Sequence, residues 1–102
     1  MTATANKPYV ILDPTSGPLR GKDSRPMARR RVTLDGVVLG LLSNGKSNSQ
    51  ELLDAVFAEL AKSFELLQSL RFRKDSVSVP PRKEHFAQLT REAGAVVTAI
   101  GD

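Results

Sequence analysis

Residues 33–48, TLDGVVLGLLSNGKSN, constrain the fold more than any other segment, because a short apolar run there meets a polar loop. The run at 37–42 has no polar alternation, which is typical of a strand buried on both faces in a helix-covered parallel sheet. The following loop, 43–48, is rich in Ser, Asn and Gly, the residue types of a tight turn. This segment therefore predicts the strand, loop and helix start of an α/β domain.

The element after the loop is predicted to be an amphipathic helix. Asn48 suits its N-cap, because the side-chain oxygen can accept from the free amides of the first turn, and Glu51 completes a capping box. Apolar residues then recur at spacings of three, four and one, which indicates a single face that packs on the sheet. These residues are Leu52, Leu53, Val56, Phe57, Leu60 and Phe64.

Two more strands are predicted downstream. Residues 66–73 predict a weaker strand at a sheet edge, since Gln68 interrupts its apolar series. Residues 95–100 are apolar and β-branched like the first run. The last strand is therefore expected to lie inside the same parallel sheet.

A second helix is predicted between these strands, over residues 82–93. Pro80 and Pro81 mark its start, and Gly94 stands where helix C-termini commonly use a left-handed residue. Its apolar line consists of Phe86, Leu89 and Ala93.

The element order βαβαβ predicts an α/β fold with a short, three-stranded parallel sheet and right-handed crossovers. It is either a flavodoxin-like or a Rossmann-like half, in two or three layers. Strand orders 2-1-3 and 3-2-1 both remain open. We expect this domain to occupy residues 32–102 and to be incomplete.

Residues 1–31 are predicted to form an extended arm. They hold four of the six prolines and seven of the fifteen Lys and Arg residues. A segment of this composition has too little apolar surface to form a core of its own. Only residues 9–12 are expected to dock on the domain. From residue 32 onward eight basic residues face nine acidic ones, so the basicity lies in the arm. The run at 29–31 lacks interleaved aromatic residues and favours a solvated linker over a nucleic-acid contact.

Several kinds of site are excluded by composition. The chain has no cysteine and a single histidine, His85, which leaves no thiolate or multi-histidine metal site. His85 has no partner motif and is expected to be a surface residue. No apolar stretch approaches the roughly 20 residues of a membrane helix, and the N-terminus lacks a signal sequence, so a cytoplasmic protein without a membrane partner is predicted. No cofactor is indicated.

The loop after the first strand is the best candidate site, since open parallel sheets bind ligands outside the carboxyl ends of their strands. Gly45 permits close approach, and Lys46 and the amino end of the next helix would attract an anion. The spacing matches neither the phosphate loop GxxxxGK(S/T) nor the dinucleotide motif GxGxxG. A purely structural turn would use the same residue types, so both interpretations stay open. The candidate residues are Asn44, Gly45, Lys46, Asn48, Gly101 and Asp102.

Four segments together resemble the N-terminal half of the UGSC family of selenoproteins and their cysteine-containing homologues. They are ILDPTSGP (11–18), VVLGLLSNGKSNSQELLD (37–54), LRFRKDS (70–76) and AVVTAIGD (95–102). In that family the Ala-Ile-Gly-Asp strand end is followed at once by selenocysteine or cysteine. The resemblance implies that the reactive residue comes immediately after Asp102, at a UGA codon that was read as a stop. It also implies that the six candidate residues line or flank that position.

The function implied by the resemblance is the N-terminal part of a thiol or selenol redox protein. Its full-length product would be an oxidoreductase acting on a small-molecule or thiol substrate, and the present chain, with no catalytic residue of its own, is expected to be inactive. The alternative is a stand-alone α/β interaction domain. The truncated protein is expected to self-associate through its open sheet edge, whereas the interaction domain would bind an unknown partner through that edge.

Overall fold

The computed structural model describes residues 7–15, 17 and 21–102. It confirms the βαβαβ order, and the element bounds differ from the predicted ones by only a residue or two. The elements are β1 (Val38–Ser43), α1 (Ser49–Ser63), β2 (Gln68–Arg73), α2 (Lys83–Glu92) and β3 (Ala95–Ala99). Along the described part of the chain, no helix has the length and apolar character needed to cross a membrane.

The sheet is parallel throughout, in the order β2-β1-β3. This is the first of the two orders that the sequence left open. In the central strand, Leu39 lies opposite Ser69 of β2 and Ala95 of β3. The first crossover, through α1, leads from β1 to β2 on one side of it. The second, through α2, leads back past β1 to β3 on its other side. Because both crossovers are right-handed and run in opposite directions, the two helices lie on opposite faces of the sheet.

Helix α1 covers one face of the sheet and forms the core with it. Leu39 and Leu41 of β1 are buried together with Leu53 of α1 and Ala99 of β3, and Phe57 and Leu60 of the predicted stripe pack against them. Leu52 is the exception, because its side chain is 54% exposed. Adjacent helical residues point about 100° apart, so Leu52 turns outward when Leu53 points to the sheet.

Helix α2 lies on the opposite face, so the fold has three layers. A Cβ atom on Gly40 would lie 2.6 Å from Leu89 Cδ2, which shows how closely α2 approaches the middle of β1. His85 stacks on Phe72 of β2 with ring centroids 4.2 Å apart. It is therefore half-buried and not the surface residue that was predicted. Phe86, predicted to face the sheet, is 63% exposed, and Leu89 is the buried residue of the helix.

Gly94 has a different role from the predicted one. Helix α2 ends at Ala93, which is already extended (φ −83°, ψ 136°), and Gly94 does not have a positive φ. Its amide donates to Val38 O, and a Cβ atom there would lie 2.9 Å from Val37 Cγ1 and from Arg31 Nε. The glycine therefore allows three chain segments to approach closely, and it is not a left-handed cap.

The described residues of the arm contain no helix or strand. The prediction that residues 9–12 dock is wrong, because Tyr9 is 92% and Leu12 is 90% exposed. No backbone hydrogen bond joins this segment to a strand, so nothing offsets the entropy of holding it in place. The arm contacts the domain at its end, where Arg31 Nε donates to Gly94 O at 3.1 Å. Residues 1–6, 16 and 18–20 of the predicted arm lie outside the described residues.

Candidate functional site

Two buried hydroxyl groups determine the shape of the loop between β1 and α1. Ser43 Oγ accepts from the Gly45 amide at 3.0 Å and lies 2.5 Å from Ser49 Oγ, while Ser49 Oγ donates to Lys46 O at 2.8 Å. Because the Ser49 hydrogen is used on Lys46 O, the hydrogen between the two hydroxyls comes from Ser43. Each donor among these three hydrogen bonds has its acceptor within the loop or at its two ends, so these bonds shape the loop without an external partner.

Asn44 joins this loop to the end of β3. Its side chain is almost fully buried; Oδ1 accepts from the Lys46 amide at 3.1 Å and from the Gly101 amide at 3.0 Å. Nδ2 donates back to Gly101 O at 3.3 Å, and the Asn44 amide donates to Ala99 O at 3.1 Å. The carboxyl ends of β1 and β3 are thereby held together. This is the switch point of the sheet, where open α/β folds usually bind their ligands.

Two glycines permit this convergence of strand ends. A Cβ atom on Gly101 would lie 2.9 Å from Lys46 O and 3.0 Å from Ser49 N, with Ser47 O closer still. Gly45 has a left-handed φ of 89° and packs against the backbone of Lys74, whose oxygen would lie 3.2 Å from an added Cβ. Any side chain at either position would push the loop away from its neighbours.

Three charged residues border the loop. Lys46 Nζ lies 3.4 Å from Asp102 Oδ1, and both side chains are solvent-exposed to a large degree. Arg73, at the end of β2, donates from Nη2 to Gly45 O at 3.0 Å. The end of each strand thus contributes to one edge of the sheet: β1 through its loop, β2 through Arg73 and β3 through Asp102.

The start of α1 differs from the predicted capping box. Asn48 is left-handed (φ 70°, ψ −8°), and its side chain makes no capping hydrogen bond. An N-cap side chain reaches the first-turn amides from an extended backbone, and the left-handed turn removes that geometry. The amides of Gln50 and Glu51 therefore have neither an intrahelical acceptor nor a side-chain cap.

An open cavity of about 240 Å³ lies at this helix start. Lys46 and Arg73 bring positive charge to it, and the amino end of α1 adds its partial positive charge. Such an arrangement favours a small anion, although Glu51 at the rim opposes it. Over residues 7–15, 17 and 21–102, no group of three or more His, Asp or Glu side chains could hold a metal ion.

The structure brings all six predicted site residues to this edge of the sheet. Gly45, Lys46 and Asn48 line the cavity. Asn44 and Asp102 do not line it but contact Lys46, and Gly101 is hydrogen-bonded to Asn44. Their role in binding stays a prediction. The sequence interpretation missed three residues of the site: Ser43, Ser49 and Arg73. The position of Arg73 at the carboxyl end of β2 was its only signal, and that position alone does not distinguish a site residue from any other strand end.

Comparison of the chain with curated proteins and with solved structures gives no significant match. A model of the UGSC family, in contrast, matches residues 10–102. The match extends over nearly the whole chain and includes β1, the loop, both helices and the end of β3. The protein is therefore a member of the UGSC family.

Proposed function

We propose that this chain is the N-terminal part of a selenocysteine- or cysteine-dependent protein of the UGSC type, whose full-length form carries out thiol or selenol redox chemistry. Its substrate would be a small molecule or a thiol. The observation that carries the proposal is the reciprocal pair of hydrogen bonds between the Asn44 side chain and the Gly101 backbone. These bonds fix the end of β3 beside the amino end of α1.

The surroundings of Asp102 suit an anionic nucleophile. A thiolate or selenolate placed directly after Asp102 would begin near Lys46, whose Nζ already lies 3.4 Å from Asp102 Oδ1. A nearby cation and a helix amino end both favour the charged form of a thiol and lower its pKa. A lowered pKa raises the fraction of reactive thiolate at neutral pH.

The described residues can stabilise such an anion, but they provide no cysteine or free buried hydroxyl that would act as the nucleophile. The chain has no cysteine, and the buried hydroxyls of Ser43 and Ser49 are already used to shape the loop. We therefore expect the 102-residue chain to be inactive, with the reactive residue immediately after Asp102 and none of the catalytic residues within the chain.

The first test is to read the codon that follows Asp102. A UGA codon followed by an open frame supports the proposal, whereas UAA or UAG contradicts it. The extended product, with cysteine at that codon, would then be tested by alkylation with iodoacetamide as a function of pH. We expect a thiol pKa below the usual value of about 8.5.

Two lysine variants of the extended product sharpen this test. Lys46→Met should raise the thiol pKa, because it removes the neighbouring cation. Lys62→Met is the matched control, since Lys62 lies in the last turn of α1 and pairs with Glu59. Equal pKa values in the two variants would show that Lys46 does not act on the reactive residue.

A stand-alone interaction domain is the second candidate function. It is favoured by the open edge of β3 and the apolar groove beside it, on the α2 face. The codon after Asp102 separates the two candidates, because an interaction domain needs no further reactive residue.

A further inference from the structure

The two edges of the sheet differ in charge. At the β2 edge, Arg71 and Arg73 carry exposed charged side chains. At the β3 edge, no residue from 94 to 101 is charged. Charged side chains on an edge strand hinder pairing with another strand, whereas an uncharged apolar edge favours it. Strand β3 itself therefore presents no charged side chain that would hinder pairing with a partner strand.

The outward-facing backbone groups of β3 are available for pairing. Ala99 O accepts from the Asn44 amide and so faces β1. Peptide groups alternate in direction along a strand, which turns those of Val96 and Thr98 to the open side. Within the described residues, no backbone hydrogen bond from a turn, a loop or the arm reaches Val96 or Thr98.

The sequence of β3, Ala-Val-Val-Thr-Ala, is nearly the same in both directions about Val97. In an antiparallel pair centred there, Val97 lies opposite Val97 of the second copy. Val96 then lies opposite Thr98, a β-branched residue of the same shape, and Ala95 lies opposite Ala99. Such pairs fit well across antiparallel strands, and the hydrogen-bonded positions coincide with the outward groups of Val96 and Thr98.

We propose that the 102-residue chain forms a symmetric dimer by antiparallel pairing of β3 with β3 of a second copy, giving one continuous sheet. A two-fold axis through the Val97 pair keeps the α1 face of both copies on the same side. The partner would also cover part of the apolar groove of about 420 Å³ beside β3, where Phe86 is 63% exposed. This inference concerns the 102-residue chain and is tested separately from the redox proposal.

The arm is the local competitor for this edge. Residues 27–31 lie beside the start of β3 and make a side-chain hydrogen bond there, from Arg31 Nε to Gly94 O. Pairing centred on Val97 requires residues 27–30 to move away from Ala95 and Val96, while Arg31 can keep its bond.

The first experiment determines the oligomeric state of the full chain from its mass, measured by light scattering over a range of protein concentrations. Two variants at position 98 are measured in the same way. Thr98→Pro removes the outward N–H, which the monomer does not use, and should weaken dimerisation at least about tenfold. Thr98→Val keeps the β-branched shape and should dimerise like the natural chain. Circular dichroism checks that each variant is folded, and Thr98→Lys replaces the proline variant if that one is not. A wild-type chain that stays monomeric at high concentration overturns the proposal.

The second experiment locates the interface. Because the chain has no cysteine, Val97→Cys introduces a single thiol, and a Cα separation of about 4.5 Å across the central pair permits a disulfide between copies. Ser69→Cys, equally half-buried but on the β2 edge, is the matched control. Cross-linking of Val97→Cys alone supports the proposal. Cross-linking of Ser69→Cys instead overturns it in favour of pairing through the β2 edge. A dimer that Val10→Asp abolishes overturns it in favour of pairing through the arm.

Discussion

The two faces of the sheet are covered to very different degrees, although β1 supplies apolar residues to both. On the α1 face, Leu39 and Leu41 are 1% exposed and pack on a helix of fifteen residues. On the other face the helix has ten residues, and it leaves an apolar groove between itself and β3. The difference teaches that stability resides mainly on the α1 face, while the α2 face and the adjacent edge remain open to a partner.

The largest expected effect is at the centre of the α1 face. Leu53→Ala should lower the free energy of unfolding by about 2–5 kcal/mol, because it leaves a cavity in a filled core. Leu52→Ala is the matched control. The Leu52 side chain is 54% exposed, so its truncation should lower the free energy of unfolding far less. Urea unfolding measures both. Equal losses would mean that the α1 face is not the main source of stability.

A smaller decrease in the free energy of unfolding is expected when a methyl group is added on the α2 face. Gly40→Ala places a Cβ atom 2.6 Å from Leu89 Cδ2 and 3.1 Å from Val96 Cγ2. Overpacking typically costs about 1–3 kcal/mol, and the end of the Leu89 side chain can rotate toward the open groove. We expect a value near the lower end, by the same unfolding measurement. A loss as large as that of Leu53→Ala would show that the α2 face is as tightly packed as the other.

Truncation of an exposed side chain on the α2 face should change little. Phe86→Ser is expected to alter the stability by no more than about 0.5 kcal/mol, measured at concentrations low enough to keep the chain monomeric, since most of the ring already contacts water. A loss above about 2 kcal/mol would place Phe86 within the packed core and contradict the open face.

The smallest effect is expected at the ion pair that joins the loop after β2 to the start of α2. The hydrogen-bonded guanidinium of Arg82 lowers the pKa of the Asp75 carboxyl below its usual 3.8. The pair therefore stabilises the fold above that pH, and its contribution is lost as the pH falls through the lowered pKa. Asp75→Asn should slightly reduce the Tm at neutral pH and leave it unchanged in strong acid.

The control for this change is a similar pair elsewhere. Asp23 and Arg25 form an exposed ion pair within the arm. Because the described residues of the arm contain no helix or strand, Asp23→Asn should leave the Tm unchanged at every pH. A pH-independent loss in Asp75→Asn would mean that the pair itself does not cause the effect.

The elements could be predicted from local patterns, because β1 and α1 are defined by apolar spacing within a few residues. The strand order could not, since it depends on the direction in which the second crossover returns across β1. The same limit explains Gly94, whose role comes from the close approach of Val37 and Arg31, far away in sequence.

The candidate site shows this limit even more clearly. Two asparagines flank the Gly-Lys pair, and capping rules select Asn48 because it stands next to the helix. The structure assigns the important contacts to Asn44, whose partner Gly101 lies 57 residues away. Ser43 and Ser49 have the residue type of any turn, and only the folded chain brings their hydroxyls together.

The distance along the chain between Asn44 and Gly101 also has a consequence for the order of folding. The unit β1-α1-β2 is built from neighbouring elements, whereas β3 pairs with β1 across the whole length of that unit and α2. Contacts between distant residues form late, because the intervening chain must lose entropy before they add stability. We therefore expect β3 to dock last and the Gly101 amide to gain protection from hydrogen exchange only in the final kinetic phase. A chain arrested just before that step would contain most of its secondary structure and still lack its site.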